Sequence, residues 1–236
     1  MKLKFHTLDV FTDKRFGGNP LAVVLDADGL DTDRMQAIAR EFNLSETVFV
    51  LSPRNPAHSA KVRIFTPMSE LPFAGHPTVG TAALLADLRS PDTGAERDAI
   101  VALEETIGTV RVGVRIRPGG SAFAEFDAPR LPEEAGSAPP ADRLAAALGL
   151  IPSEIGFANH KPVKLSAGVP FTFVPVASLD AIAKADINGG AWAAAFGTTG
   201  HPAALVYCRQ TVQQHSHFHA RMFMPGIGED PATGSA

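Results

Sequence analysis

Glu46 opens an apolar run, Thr47-Val48-Phe49-Val50-Leu51. A carboxylate beside such a run is partly desolvated, which raises its pKa toward the range of a general base. Further along, Gly75-His76-Pro77-Thr78 reads as a helix start with Pro77 at the first helical position, where a missing amide costs nothing. The amides around Gly75 and His76 then point out of the helix end, a ready site for an anion. His76 can donate to a substrate or an intermediate. Near the other end of the chain, Asp230 precedes Pro231 and is therefore extended. It offers a second acid/base or a group that holds a ligand. Thr233-Gly234-Ser235 repeats the helix-start chemistry. Two such corners facing one cleft suit a small carboxylate and stabilise negative charge that develops during proton abstraction. The blander alternatives are two ordinary capped helix starts, a strand-end glutamate, and an aspartate bonded to its own turn.

The two corners belong to a repeat. Arg63, Phe65 and Pro67 recur in order as Arg221, Phe223 and Pro225. Glu70, Pro72 and Gly75 recur as Glu229, Pro231 and Gly234, after one inserted residue. Turn chemistry accounts for the prolines and glycines but not for the R-x-F before them. Gly18-Asn19-Pro20 likewise matches Gly168-Val169-Pro170, and Glu46–Leu51 matches Ala203–Cys208. A single duplication predicts two similar domains, not a solenoid.

These residues need elements to hold them. Residues 3–11 and 20–26 read as strands. Thr32–Phe42 has a helical rhythm, with Asp31 as N-cap and Asn43 closing it in a left-handed conformation. Strands follow at 46–52 and 59–66, then a small, apolar, buried helix over Pro77–Leu88, then strands at 99–104, 108–116 and 121–127. A Pro/Gly/Glu-rich stretch at 128–140 reads as a linker, followed by a short helix over Ala141–Leu148. The predicted class is α+β, with domains at 1–128 and 129–236, each a mixed or antiparallel sheet round a central helix. The second half stops at Ala236, short of the helix and strands that follow Gly75 in the first. We therefore expect that domain to be incomplete at its C-terminus.

Composition narrows the function. The chain has 236 residues, 45% hydrophobic and 19% charged, with formal net charge −4. That is a globular composition without the basic balance of a nucleic-acid binder. It has no apolar run long enough for a membrane span and no signal-peptide core. One cysteine, Cys208, excludes an internal disulfide. These features favour the cytoplasm. His215, His217 and His219 alternate. On a strand they would share one face, and such a face can hold zinc, but no Cys, Asp or Glu lies close in sequence. No metal is expected, although a metal-dependent hydrolase would use that strand. Trp192 and Phe196 read as helix core. No nucleotide-binding glycine motif is present.

The stretches DVFT, F-x-G-N-P-L-A-V-V, L-S-E-T-V-F-V, R-I-F-T-P, E-L-P-F-A-G-H-P-T-V-G-T-A and E-D-P-A-T-G-S-A together resemble the PhzF-type phenazine-biosynthesis family, from residue 6 to 236. The resemblance implies the diaminopimelate-epimerase-like fold, two pseudo-symmetric domains with the site between them. It implies a cofactor-independent isomerase of the trans-2,3-dihydro-3-hydroxyanthranilate type. In that family a glutamate at the position of Glu46 moves a proton between ring carbons. Groups matching His76, Asp230 and Ser235 hold or polarise the substrate. Backbone amides at Gly75 and Gly234 contact its carboxylate. Members are commonly homodimers. Racemases of this fold use a thiol at each helix start. Here those places hold His76 and Ser235, which argues against two-thiol chemistry. The alternative from another class is a non-catalytic carboxylate-binding or regulatory protein that retains the cleft.

Overall fold

The computed structural model describes residues 2–90, 94–119, 121–128, 130–197, 201–226 and 228–234. The chain divides into two compact units, Met1–Pro129 and Arg130–Gly234. In the first, the described elements are β1 (Phe5–Val10), β2 (Asn19–Val24), α1 (Thr32–Phe42), β3 (Glu46–Leu51), β4 (Ala60–Phe65), β5 (Glu70–Leu71), α2 (Gly75–Arg89), β6 (Arg97–Glu105), β7 (Gly108–Ile116) and β8 (Ala122–Phe126). In the second they are β9 (Glu133–Glu134), α3 (Ala141–Leu148), β10 (Val163–Ser166), β11 (Pro170–Pro175), α4 (Leu179–Lys184), α5 (Gly189–Phe196), β12 (Ala204–Cys208), β13 (His219–Met224) and β14 (Gly228–Asp230). The class is α+β.

The first unit is one sheet in the order β1-β2-β3-β4-β6-β7-β8, with β5 on β4. It carries a helix on each face. α1 is amphipathic and capped at both ends. The Asp31 carboxylate accepts from the Arg34 amide, and Asn43 closes the helix at φ 51. Its buried Met35 and Ala39 pack on Val24, Phe49 and Phe65. α2 lies on the other face and is buried without a break from Ala74 to Ala82. A helix apolar on all sides is stable only when enclosed. Strands contribute Leu21, Val48, Ile64, Leu103 and Val112 to the core around it. Gly80 allows the close approach: a Cβ there would sit 2.8 Å from Leu21 Cδ2 and from Val10 Cγ2.

The helix starts two residues before Pro77, which therefore occupies its third position. The sequence expectation placed proline first. Ala74, the residue before the helix, is extended and has no capping side chain, so no polar signal marked the true start.

The second unit repeats the order and sense of the first. β2 and β3 are parallel, as are β11 and β12. β1–β2, β3–β4 and β4–β5 are antiparallel, as are β10–β11, β12–β13 and β13–β14. The R-x-F…E pattern becomes one device made twice. The Arg63 guanidinium grips Glu70 with Nε at 2.7 Å and Nη2 at 2.6 Å, above the Phe65 ring. Arg221 grips Glu229 at 2.7 and 2.8 Å, above Phe223. Each fork is bidentate and ties a strand to the short strand that pairs with it. The link between the parallel strands differs: α1 in the first unit, α4 and α5 in the second. There α3, α4 and α5 cover one sheet face with Leu144, Ile182 and Trp192 against Val174, Val206 and Phe223. Trp192 donates Nε1–H to the Pro202 carbonyl at 3.0 Å.

Candidate active site

Glu46 is the first residue of β3, in register with Leu21 of β2. Its strand begins there because Asn43 ends α1 and the apolar run follows at once. His76 is the second residue of α2. Its Nε2 lies 3.4 Å from Glu46 Oε2, with the imidazole 2% and the carboxylate 12% exposed. The contact does not reach hydrogen-bond geometry at Nε2. Burial pushes His76 down to about 4, and the nearby carboxylate does not offset it. The ring is therefore neutral at neutral pH. Phe11 shields it edge-on, ring centres 6.3 Å apart, from a left-handed backbone at φ 61 that is uncommon for a bulky residue.

The end of α2 carries few donors. The first turn of a helix has amides with no intrahelical acceptor. Pro77 has no amide, and the Thr78 amide reaches the Ala74 carbonyl at 3.2 Å. The Gly75 and His76 N–H groups remain at the helix mouth, where the dipole favours an anion.

Glu46, Gly75 and His76 are thus brought together in the first unit. In the second unit, Asp230 ends β14 and accepts a hydrogen bond from the Thr233 hydroxyl at 2.7 Å. Gly234 follows, partly buried. Ser235, and the helix expected to open there, lie outside the described residues. The position matching Glu46 in the repeat is filled by Ala203, immediately before β12, so the duplication carries this carboxylate once.

The histidine strand does not form. A turn covers the segment around His215, and only His219 enters β13, so the three do not share a face. Among the described residues no cluster of His, Cys, Asp or Glu could hold a metal ion, and no helix is long and apolar enough to cross a membrane. Cys208 ends β12, buried, its Sγ directed at the Gln210 carbonyl. Burial raises its pKa, the opposite of an activated thiol.

One residue escaped sequence reasoning. Glu105 ends β6 with its side chain in the core, its Oε1 2.8 Å from the Thr78 hydroxyl one turn into α2. The available signal was periodicity: Val101, Leu103 and Glu105 alternate on the buried register of β6, so a glutamate occupies an apolar position.

A family model described as phenazine biosynthesis-like protein matches residues 8–236. The chain belongs to this family. Within it, an uncharacterized isomerase of Mesorhizobium japonicum is 54% identical over 233 residues, covering 97% of this chain and 76% of that one. The trans-2,3-dihydro-3-hydroxyanthranilate isomerase of Pseudomonas aeruginosa is 36% identical, over 99% of this chain and 76% of its own. The crystal structure of a Bacillus anthracis phenazine biosynthesis protein of the PhzF family superposes with a TM-score of 0.83 at 29% identity, over 100% of this chain and 77% of that one. This chain is an isomerase of the phenazine biosynthesis-like family.

Proposed function

We propose that this isomerase shifts a proton on a small cyclic or unsaturated carboxylic acid, with Glu46 as general acid/base and no cofactor. The substrate class is that of the Pseudomonas aeruginosa relative, a dihydro-hydroxyanthranilate. One observation carries the reading: a largely buried carboxylate and a neutral imidazole 3.4 Å apart, at the mouth of a helix whose amides suit an anion. An imidazolium would hold Glu46 in an ion pair. A neutral ring does not, so the carboxylate keeps its capacity to accept a proton. Glu46 takes a proton from one carbon, the electron pair moves through the conjugated system, and the carboxyl returns a proton to another carbon. The Gly75 and His76 amides hold the substrate carboxylate, and His76 donates to the intermediate.

The test is Glu46→Gln assayed with trans-2,3-dihydro-3-hydroxyanthranilate, following proton exchange in D₂O. Loss of a general base costs about 10²–10⁴ in rate, while a bound carboxylate analogue should keep its affinity within a few fold. Turnover and exchange close to those of the parent would eliminate Glu46 as the base.

A further inference from the structure

Glu105 and its neighbour Glu104 face opposite sides of the sheet. Glu104 accepts from the Arg54 and Asn55 amides and contacts His58 on the outer side. Glu105 is buried under α2. Its Oε1 lies 2.8 Å from Thr78 Oγ1, and the same Oγ1 lies 2.7 Å from the Ala74 carbonyl oxygen. A hydroxyl has a single hydrogen. Were Glu105 ionised, carboxylate and carbonyl would compete for that hydrogen, and one short contact would set lone pair against lone pair. A protonated Glu105 removes the conflict: it donates to Thr78, and Thr78 donates to Ala74. Its other oxygen, Oε2, is buried without a hydrogen-bond partner among the described residues, a costly place for charge and a tolerable one for the carbonyl of a neutral acid. Burial pushes Glu105 up to about 7, with the Thr78 bond pulling the other way.

The Ala74 carbonyl and the Gly75 N–H belong to one planar peptide and point in opposite directions. Whatever anchors that carbonyl aims that amide. We propose that Glu105 is a positioning residue whose protonated carboxyl, acting through the Thr78 hydroxyl on the Ala74 carbonyl, sets the direction of the Gly75 amide toward the substrate carboxylate. This rests on Gly75 as a carboxylate-binding amide, as proposed above. Ionisation of Glu105 turns the Thr78 hydroxyl away from Ala74 and puts a negative charge behind the anion site, so carboxylate affinity falls as pH rises through neutrality.

Charged groups on the elements packed against Glu105 do not account for such a titration. β4 turns Lys61 and Arg63 to the other sheet face, β7 turns Arg111 and Arg115 there, and β8 turns Glu125 outward. Glu70 is held by Arg63. On α2, Asp87 and Arg89 lie in the last turns, and His76, in the first turn, is already neutral throughout this range; Glu46 of β3 lies against His76.

The experiment follows the Gly75 amide by NMR in glycine-labelled protein between pH 5.5 and 8.5, with anthranilate affinity measured alongside as a probe. In the parent the Gly75 resonance should titrate near neutrality, and anthranilate should bind about tenfold more weakly at pH 8 than at pH 6. Glu105→Gln still donates to Thr78 but cannot ionise. Its Gly75 resonance should stay fixed, and its affinity should remain at the parent's pH 6 value throughout. Thr78→Val should bind weakly at every pH. A Gly75 resonance that does not move in the parent, or that moves equally in Glu105→Gln, overturns the proposal. A failure of Glu46 as base shows instead in the Glu46→Gln rates, which leave the Gly75 titration untouched.

Discussion

His76 and Glu46 meet at 3.4 Å, yet the imidazole stays neutral down to about pH 4 because it is buried. The unfolded chain takes up this proton near 6.5, and the folded protein resists it. Stability from this residue is therefore complete above pH 6.5 and lost as pH falls from 6.5 to 4. The full loss is about 3 kcal/mol. Urea midpoints measured across that window should fall with acidification in the parent, and His76→Asn should flatten the slope. An unchanged slope would assign the acid lability to other groups.

Glu105 has the opposite sign. Its folded pKa is raised from 4.5 to about 7, so the folded state holds a proton that the unfolded chain releases. Stability from this group is complete below 4.5 and declines as pH rises to 7. Glu105→Gln should melt as the parent does at pH 4.5, and at pH 8 it should melt several degrees higher, given about 2–4 °C per kcal/mol for a chain of this size. Calorimetry at the two pH values checks both arms.

The paired arginine forks give matched expectations. Arg63→Met removes a bidentate grip on Glu70 and the bond to the Thr32 hydroxyl at 3.0 Å, and should cost about 1–3 kcal/mol. Arg221→Met also strips Nη1 from the Ile182 and Ala185 carbonyls, at 2.7 and 2.9 Å, which fastens β13 to α4. The loss there should be at least as large. Denaturant titration of each variant measures both.

Gly80→Ala opposes local propensity with packing. Alanine favours a helix over glycine by about 1 kcal/mol, but the new methyl would meet Leu21 Cδ2 and Val10 Cγ2 at 2.8 Å. Overpacking of about 1–3 kcal/mol should win, with a lower melting temperature as the readout. A stabilised variant would show that β1 and β2 yield easily.

Local chemistry was the legible part of this fold. Asp31 and Asn43 bound α1 in sequence and in space, because each acts on its own helix end. The duplication could be read from R-x-F and the later glutamate, but the ion pair within each copy could not, because strand pairing creates it. The start of α2 was misjudged because Ala74 caps through backbone shape alone. The histidine strand failed because alternation is a necessary pattern for a strand, while the turn before β13 is set by pairing with β12. Glu46 was legible as a carboxylate against an apolar run. Glu105 was not, since only the enclosure of α2 makes its position a buried one.

Pro77 at the third position of α2 leaves the mouth of that helix with the Gly75 and His76 amides. Two prongs match the two oxygens of a flat carboxylate. A tetrahedral phosphate or sulfate would bring a third oxygen and a second charge with no donor to meet them. Under the proposed carboxylate reading, the missing hydrogen on one proline nitrogen would act as a filter that favours organic acids.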